Sequence, residues 1–551
     1  MRKLSLLVFI LDSLLLVTNS CAQTTFQKIF TSALDAYCFG AYQTTDQGYI
    51  ITGIANTSGT TQKVFLTRTD CHGEILWNKV YSTSSTIGNI SQRVIETHDQ
   101  GFLLAASSGS YGAYNIMLVR TNGAGVTLWK KTMNGPYDDL ANSVIETPHH
   151  DYVIVGSTNS YGSDAGTPYK DVYMMKIDDN GNFLWGKTYG NPQTYDEAYD
   201  IVSTGNGYAL TGRYIASGAF HCLLMKTDTA GNLQWIKCFG DTNQYASGYA
   251  IANTFDGGFI ITGSSTLNKS SFQDFGDAFI IRSNGSGDTL WSKNYYGDNP
   301  DYDDIGSSII VNPDNTFAIA NATMSYPTTG YVPNKHCVMV VDDDGSLVLA
   351  KIYENGGSHY PYLSSGKSDR TFVLSGFSNY FTSHFNVMLM RLDSDYSAGC
   401  NTTDVTNHTV TEHLRAKVKT PSYAVGSGGN LISATSESDY TLGDSALCFH
   451  SSDTCYVFFS VNDLLNENAA VFIFPNPASD QLAVRISSQS NQMIVLQLFN
   501  SLGEAVQKKI VDAHNGENYF FITTSEFTEG SYLLFASGNE FYETGKVIIQ
   551  H

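Results

Sequence analysis

The tryptophans constrain how this chain folds more than any other feature. All five share one local context: Ile75-Leu76-Trp77-Asn78-Lys79-Val80-Tyr81, Leu128-Trp129-Lys130-Lys131, Leu184-Trp185-Gly186-Lys187-Thr188-Tyr189, Gln234-Trp235-Ile236-Lys237-Cys238-Phe239 and Leu290-Trp291-Ser292-Lys293-Asn294-Tyr295. They stand 52, 56, 50 and 56 residues apart. Two degenerate copies, Phe26-Gln27-Lys28-Ile29-Phe30 and Ala350-Lys351-Ile352-Tyr353, extend the series to seven between Phe26 and about Cys400. A unit repeated at this period buries its apolar face only against its neighbours, which points to a ring or an array.

Within the third unit, 171–178 reads as a strand, Asp179-Asn180-Gly181 as a turn and 183–189 as the next strand. A third strand at 198–203, a hairpin turn at Gly205-Asn206-Gly207 and a fourth strand at 208–211 follow. Apolar alternation bounded by Gly, Asn and Asp marks strands and hairpins, and no window sustains helical periodicity. Composition agrees, with 34 Tyr, 49 Gly and only 12 Pro. The expected fold class is all-β: a seven-bladed β-propeller over 23–400, a polar linker with some β structure over 401–470, and a small C-terminal β-sandwich over 471–551. If the Trp strand is outermost in its blade, residues 26–30 complete the last blade beside 386–393, which leaves no open edge.

An Asp-x-x-Gly turn precedes the Trp strand at Asp70/Gly73, Asp178/Gly181, Asp228/Gly231 and Asp342/Gly345, with Asn122/Gly125 as a variant. The plain reading is a turn whose Asp caps backbone N–H groups and whose Gly takes positive φ. A calcium loop needs alternating oxygen ligands and a terminal Glu, which these turns lack. The basic residue two positions earlier (Arg68, Arg120, Lys176, Lys226, Arg282, Arg391) reads as a repeated ion pair within each blade or a strand-edge charge. The pattern D-x-x-G-x-x-x-W resembles the tryptophan-docked repeats of quinoprotein-like propellers and the Asp-box of sialidases, with spacing that departs from each by a residue. Neither chemistry is implied, because the chain has no vicinal cysteine pair and its few arginines are mostly repeat positions.

Arg2 and Lys3 lead into an apolar run over 4–17 that ends at Thr18-Asn19-Ser20-Cys21-Ala22, the form of a secretory signal over 1–22 cleaved before Gln23. Lipidation of Cys21 is the alternative, although Thr18 stands where such signals carry Leu. No later stretch reaches about 18 uninterrupted apolar residues, so no membrane-spanning helix is expected. Of nine cysteines none forms a metal-spaced pair, most read as small core residues, and Cys448/Cys455 form the best local disulfide pair. A formal charge of -21 excludes nucleic acid and anionic lipid as partners.

The tail reads as about seven short strands. Its blocks are Pro475-Asn476-Pro477 with Asp480, then Phe499-Asn500-Ser501-Leu502-Gly503, then Gly530-Ser531-Tyr532, and a last strand opened by Lys546. These blocks are similar to the C-terminal sorting domain of type IX secretion cargo. The resemblance implies passage through both membranes of a Gram-negative cell, recognition by that machinery, and release or surface attachment. The chain ends in Gln550-His551 rather than at the hydrophobic strand.

Function is less legible. The long irregular loops 157–170, 264–276 and 323–335 are expected on one propeller face, with Tyr137, Tyr195, Tyr245, Tyr302, Tyr326, Tyr331, Tyr360 and Tyr362 nearby. Rigid aromatic area beside Asp139, Asp196 and Asp304 suits recognition of a glycan or an extracellular protein. Tyr also simply suits strands and turns, and a purely structural or adhesive surface role stays open. A glycoside-hydrolase-like enzyme is the further alternative, resting on the pairs Asp138/Asp139, Asp196/Glu197 and Asp303/Asp304, but adjacent residues on an extended segment point apart. Gly366-Lys367-Ser368 lacks the glycine of a phosphate loop, with Pro361 in its place. His149-His150-Asp151 has no third ligand at metal spacing. No catalytic residue, metal or cofactor is assigned.

Overall fold

The computed structural model describes residues 25–399 apart from 33, 59–60, 83–88, 111, 134, 217–218, 241–244, 267–275, 297–302, 325–334, 354–360, 368–369 and 379–383. It also describes strand segments within 402–450, and 471–549 apart from 475–480, 489–490, 501–504, 526, 529 and 538–541. The expected signal lies outside the described residues. The chain is all-β, and no described helix is long and apolar enough to cross a membrane. It divides into two compact units, one reaching to Asp453 and one formed by the tail.

Among the described residues of the larger unit, seven antiparallel sheets follow one another, each built on four strands that in six of the sheets are consecutive in the chain. Sheet 1 runs from Ala36–Gln43 to Ile75–Ser82, sheet 2 from Asn89–Glu96 to Thr127–Met133, and sheet 3 from Asp139–Glu146 to Phe183–Gly190. Sheet 4 runs from Asp196–Thr204 to Leu233–Phe239, sheet 5 from Tyr245–Asn253 to Thr289–Tyr296, and sheet 6 from Asp304–Val311 to Leu347–Tyr353. Sheet 7 contains Tyr362–Ser365, Phe372–Ser378 and Asn386–Leu392, and its fourth strand is Thr25–Thr31 from the other end of the unit. The pairing runs antiparallel from Phe26 opposite Arg391 to Phe30 opposite Val387, as the order of apolar strands predicts.

The middle strands are near-continuous apolar runs because both of their faces are covered. Every residue of Phe372–Ser378, Asn386–Leu392 and Lys335–Val341 is buried, whereas Trp-bearing strands such as Leu233–Phe239 alternate. The core is a succession of clusters between neighbouring sheets. Ile50, Leu66 and Val94 join sheets 1 and 2, and Leu103, Tyr152 and Met175 join 2 and 3. The succession continues to a cluster of Phe26, Phe30, Val387 and Leu389 of sheet 7 with Ile51, Tyr49 and Phe65 of sheet 1.

Each Asp-x-x-Gly turn is a dock for the ring of the preceding sheet. Gly125, Gly181, Gly231, Gly287 and Gly345 hold φ between 72° and 79°. A Cβ added there would come within 2.7–3.1 Å of Trp77, Trp129, Trp185, Trp235 and Trp291 respectively. Indole Nε1 then donates to a carbonyl of the docked turn: Trp77 to Gly123 at 3.2 Å, Trp129 to Asp179 at 2.9 Å and Trp291 to Asp343 at 2.6 Å. Phe26 takes the ring's place against Gly73. The turn Asp is a cap, as expected: Asp178 Oδ1 accepts from the N–H groups of Asn180 at 3.0 Å and Asn182 at 2.8 Å. Asn284 and Asp393 form the same turn, which the repeat search passed over. The expected ion pairs form within sheets: Arg68 with Asp46, Arg120 with Asp99 at 2.6 Å, Lys176 with Asp151 at 2.7 Å and Arg282 with Asp256 at 2.8 Å.

The first strands of different sheets meet in a buried polar network. Arg93 pairs with Asp200 at 2.5 Å and donates to the Tyr42 hydroxyl at 2.7 Å. Asp200 also accepts from Ser143 Oγ at 2.8 Å and Ile251 N at 3.1 Å, while Tyr42 meets Tyr362 at 2.6 Å. Sheets 1, 2, 3, 4, 5 and 7 are thereby tied through one cluster.

The segment expected as a polar linker adds short antiparallel strands to outer edges. Thr402–Asp404 joins sheet 6, Thr409–Thr411 sheet 5, Ala424–Ser427 sheet 3, Leu431–Ser433 sheet 2, Ser436–Asp439 sheet 1 and Gly443–His450 the Thr25–Thr31 edge of sheet 7. These strands occupy backbone groups that an edge otherwise leaves open. In the tail unit, a three-stranded and a four-stranded antiparallel sheet share a core of Leu482, Val484, Leu496, Leu498, Leu534 and Val547. Cys38, Cys222, Cys238 and Cys337 are buried as thiols, and Cys71 is disulfide-bonded. The Cys448/Cys455 pairing lies outside the described side chains.

Gly345→Ala puts a methyl 2.9 Å from the Trp291 ring on a left-handed backbone. It is expected to lower stability by about 2–4 kcal/mol in urea unfolding. Gly205→Ala, with nothing within 4 Å of its added Cβ, should change it by less than about 0.5 kcal/mol.

Candidate functional site

Antiparallel order puts the one–two and three–four hairpins of every sheet at one end. The two–three connections and the starts of first strands lie at the other. The second end carries 157–170, one of the loops singled out in the sequence, and there sheets 3, 4 and 5 bring an aromatic and ionic cluster together.

Its centre is Glu197, the second residue of its strand, 4% exposed. Its carboxylate is 2.6 Å from Arg213 Nη2 and 3.2 Å from Lys170 Nζ, and it accepts from the Tyr199 hydroxyl at 2.7 Å. Burial works against the charge, but Arg213, Lys170 and Tyr199 outweigh it and hold the carboxyl below its ordinary range. Lys170 is placed by an isolated bridge to Tyr195, with Asp196 N donating to the Lys170 carbonyl at 2.8 Å. The Arg213 guanidinium lies 4.8 Å from the Phe220 ring, 5.7 Å from Tyr199 and 5.9 Å from Tyr195. Tyr169 meets Tyr195 at 6.5 Å, Phe220 meets Tyr245 at 5.8 Å, and Tyr199 meets Tyr249 at 5.3 Å. The result is a platform of rings about one planar cation, with Tyr169 37% exposed at its edge.

Of the residues singled out from sequence, Tyr195 and Tyr245 belong to this cluster. Tyr137 is exposed beside Gly166. Tyr302, Tyr326, Tyr331 and Tyr360 lie outside the described residues, and Tyr362 joins the Arg93 network instead. The three aspartates are interior. Asp139, Asp196 and Asp304 are each 0% exposed. Asp196 accepts from Thr194 Oγ1 at 2.7 Å. Asp139 accepts from Thr158 and from Ser160 Oγ at 2.9 Å. Burial pushes its carboxyl up to about 7, against those donors and with a contribution from Asp138. Their strand neighbours bind backbone: Asp138 accepts from Tyr114 N at 2.9 Å and Asp303 from Gly276 N at 2.6 Å. Gly366 belongs to a hairpin, its N–H on Thr371 O at 2.7 Å.

Sequence reasoning missed Arg213 and Lys170. One signal pointed to Arg213: it and Arg93 fall outside the repeated strand register that Arg68, Arg120, Arg282 and Arg391 occupy. A basic residue out of register has a partner the repeat does not supply.

In the tail, Tyr532 is buried, and its hydroxyl donates to the Thr528 carbonyl at 2.7 Å. Lys546 pairs with Leu533 in the last two strands, and Gly530 opens the first of them at φ 153°. Pro475, Asn476, Pro477, Asp480 and Gly503 lie outside the described residues. Residues 472–550 match the secretion system C-terminal sorting domain. The chain is type IX secretion cargo. Such cargo is delivered to the cell surface or the extracellular space, as the tail resemblance implies. No curated protein matches this cargo. Among solved structures, a Dyadobacter fermentans protein of unknown function is similar at 9% identity and a TM-score of 0.37, covering 66% of this chain and 97% of its own. The dimeric latent form of PorU from Porphyromonas gingivalis matches at 14% identity and a TM-score of 0.13, with 76% of this chain and 35% of that one covered.

Removing 472–550 from the cargo should strand it in the periplasm in fractionation blots, and undiminished surface display would contradict the assignment. Asp139 has a folded-state pKa above its unfolded value, so between about pH 4 and 7 the folded protein holds a proton the unfolded chain has released. Its contribution is therefore greatest at the acid end of that window and is lost as pH rises through about 7. Asp139→Asn should flatten that part of the stability profile in urea melts run from pH 4 to 8.

Proposed function

We propose that the seven sheets close into a seven-bladed β-propeller and that the cargo works outside the cell as a non-catalytic glycan-binding module. Three observations support closure: the first described strand completes the last sheet, the core clusters succeed one another back to sheet 1, and first strands from six sheets share the Arg93–Asp200 network. Resemblance to tryptophan-docked propeller repeats agrees with this reading. The added strands at 402–450 would gird the outside.

The binding reading is carried by the Arg213 platform. Tyr169, Tyr195, Phe220 and Tyr245 offer flat apolar faces at the loop end of sheets 3 to 5, around a guanidinium that Glu197 holds in place. The C–H face of a pyranose packs on such rings, and a fixed planar donor orients its hydroxyls. Preorganisation favours a ligand because the rings lose little freedom on binding.

Screening the purified cargo on a glycan array should reveal a ligand class. Tyr169→Ala and Tyr195→Ala should each weaken the best binder about tenfold, equivalent to about 1.4 kcal/mol. Unchanged affinity in both variants, or capture of protein alone, overturns the glycan reading. Hydrolysis of the captured glycan would move the assignment to an enzyme.

A further inference from the structure

At the opposite end of the sheets, the one–two hairpins of sheets 2 and 3 lie side by side. They form an open cleft of about 390 Å³ lined by His98, Glu146, Thr147, Pro148, His150 and Ser203. Glu146 Oε1 is 2.6 Å from His98 Nδ1 and 3.2 Å from His150 Nδ1. The two imidazoles stack with centroids 3.7 Å apart and planes at 27°. One ligand atom from each of the three residues falls within 4.8 Å of the others.

The neighbouring hairpin explains why this arrangement departs from the repeat. Between sheets 1 and 2, Glu96 occupies the position of Glu146, and both of its oxygens are taken by Thr45, from N at 2.9 Å and 3.0 Å and from Oγ1 at 2.9 Å. That contact is a simple cap. At Glu146 the cap is kept by one oxygen alone, Oε2, which accepts from His98 N at 3.0 Å. The other oxygen is left to two imidazole nitrogens. His98 stands where the repeat has Thr45, and His150 where it has Gln47 and Gln100. His150 shares their left-handed backbone, φ 63° against 70° and 63°, which turns its ring toward Glu146. A carboxylate fixed through one oxygen by a backbone N–H and presenting the other beside two imidazoles has the form of a supported ligand set.

We infer that His98, Glu146 and His150 bind a divalent transition metal ion of the zinc class. Two imidazole nitrogens and one carboxylate oxygen suit zinc, copper or nickel rather than the all-oxygen preference of calcium and magnesium. Ligand bonds of about 2.0–2.1 Å in tetrahedral array set the donors about 3.3 Å apart. The His150–Glu146 spacing of 3.2 Å already meets this, and the His98 contact of 2.6 Å opens by about 0.7 Å as the ion enters. Side chains 34% and 53% exposed at the two histidines give the ion a path from solvent. The ion clips the sheet 2 hairpin to the sheet 3 hairpin and keeps a fourth position for water. It lies at the end of the sheets away from the Arg213 platform and is independent of that reading.

Calorimetric titration of the purified full-length protein, stripped with chelator, with zinc chloride at pH 7.5 tests this. One ion should bind per chain, and the melting temperature should rise on zinc and fall back on chelation. His98→Ala and His150→Ala should each weaken binding at least about tenfold, and Glu146→Gln by a similar factor, whereas His149→Ala, next door and exposed, should leave it unchanged. The four positions are on two neighbouring surface hairpins, and a circular dichroism spectrum matched to the parent identifies folded variants. Cobalt in place of zinc should give the visible absorption of a four-coordinate site, lost in His98→Ala. Absence of zinc binding, or affinity unaltered in both His98→Ala and His150→Ala, overturns the assignment.

Discussion

The docking of a tryptophan ring onto the glycine of the next sheet's turn is the contact on which the larger unit depends. A flat sheet with two apolar faces has no preferred neighbour or spacing. The Trp fixes both, because its ring fits only where the turn glycine lacks a Cβ, and its N–H reaches a carbonyl of that turn. Ring contact supplies burial, and the hydrogen bond supplies register. Where the ring is absent the dock changes in kind: Phe26 rests on Gly73, and Leu349 packs in the cluster that contains Tyr396, a non-glycine residue at φ 58°. These altered docks flank sheet 7, the sheet assembled from both ends of the unit.

The Arg93–Asp200 network is a different kind of constraint. An isolated buried pair gains little net stability, since desolvating two ions cancels most of their attraction. Here each charge is also satisfied by groups from other sheets, Tyr42 on the arginine and Ser143 and Ile251 N on the aspartate. Losing any one strand's position would leave a buried charge short of a partner, so the cluster penalises misplacement of any of five first strands. Apolar contacts at the same place would tolerate sliding.

Period, strand order, turn chemistry and the pairing of the first and last strands were legible because they repeat, and repetition reveals itself without knowledge of contacts. The turn at Asp393 escaped because it has Tyr396 in place of the glycine, whereas Asn284 with Gly287 is the same variant as Asn122 with Gly125 and was within reach of the pattern. The tail was legible because its blocks are short, ordered and distinctive. The site was harder. Tyr195 and Tyr245 stood out by composition, but their union through Arg213 and Phe220 depends on which loops of sheets 4 and 5 face each other. Asp139, Asp196 and Asp304 looked like surface ligands because they border loops, yet each begins a first strand and is buried, with threonine hydroxyls donating to the carboxylates of Asp139 and Asp196. The partners of His150 lie four and 52 residues away in the chain, and only the alignment of two hairpins brings them together.

Thr25–Thr31 lies between Asn386–Leu392 on one side and Gly443–His450 on the other. The strand made first is thus gripped by two strands made much later, the second of them immediately before the segment that leads to the sorting tail. A load applied along the axis of Thr25–Thr31 is shared by two antiparallel pairs, from Phe26 opposite Arg391 to Phe30 opposite Val387 and from Thr25 opposite His450 to Thr31 opposite Gly443. Hydrogen bonds loaded in shear carry it together rather than peeling one after another. The seam that joins the two ends of the unit is therefore also a mechanical clasp.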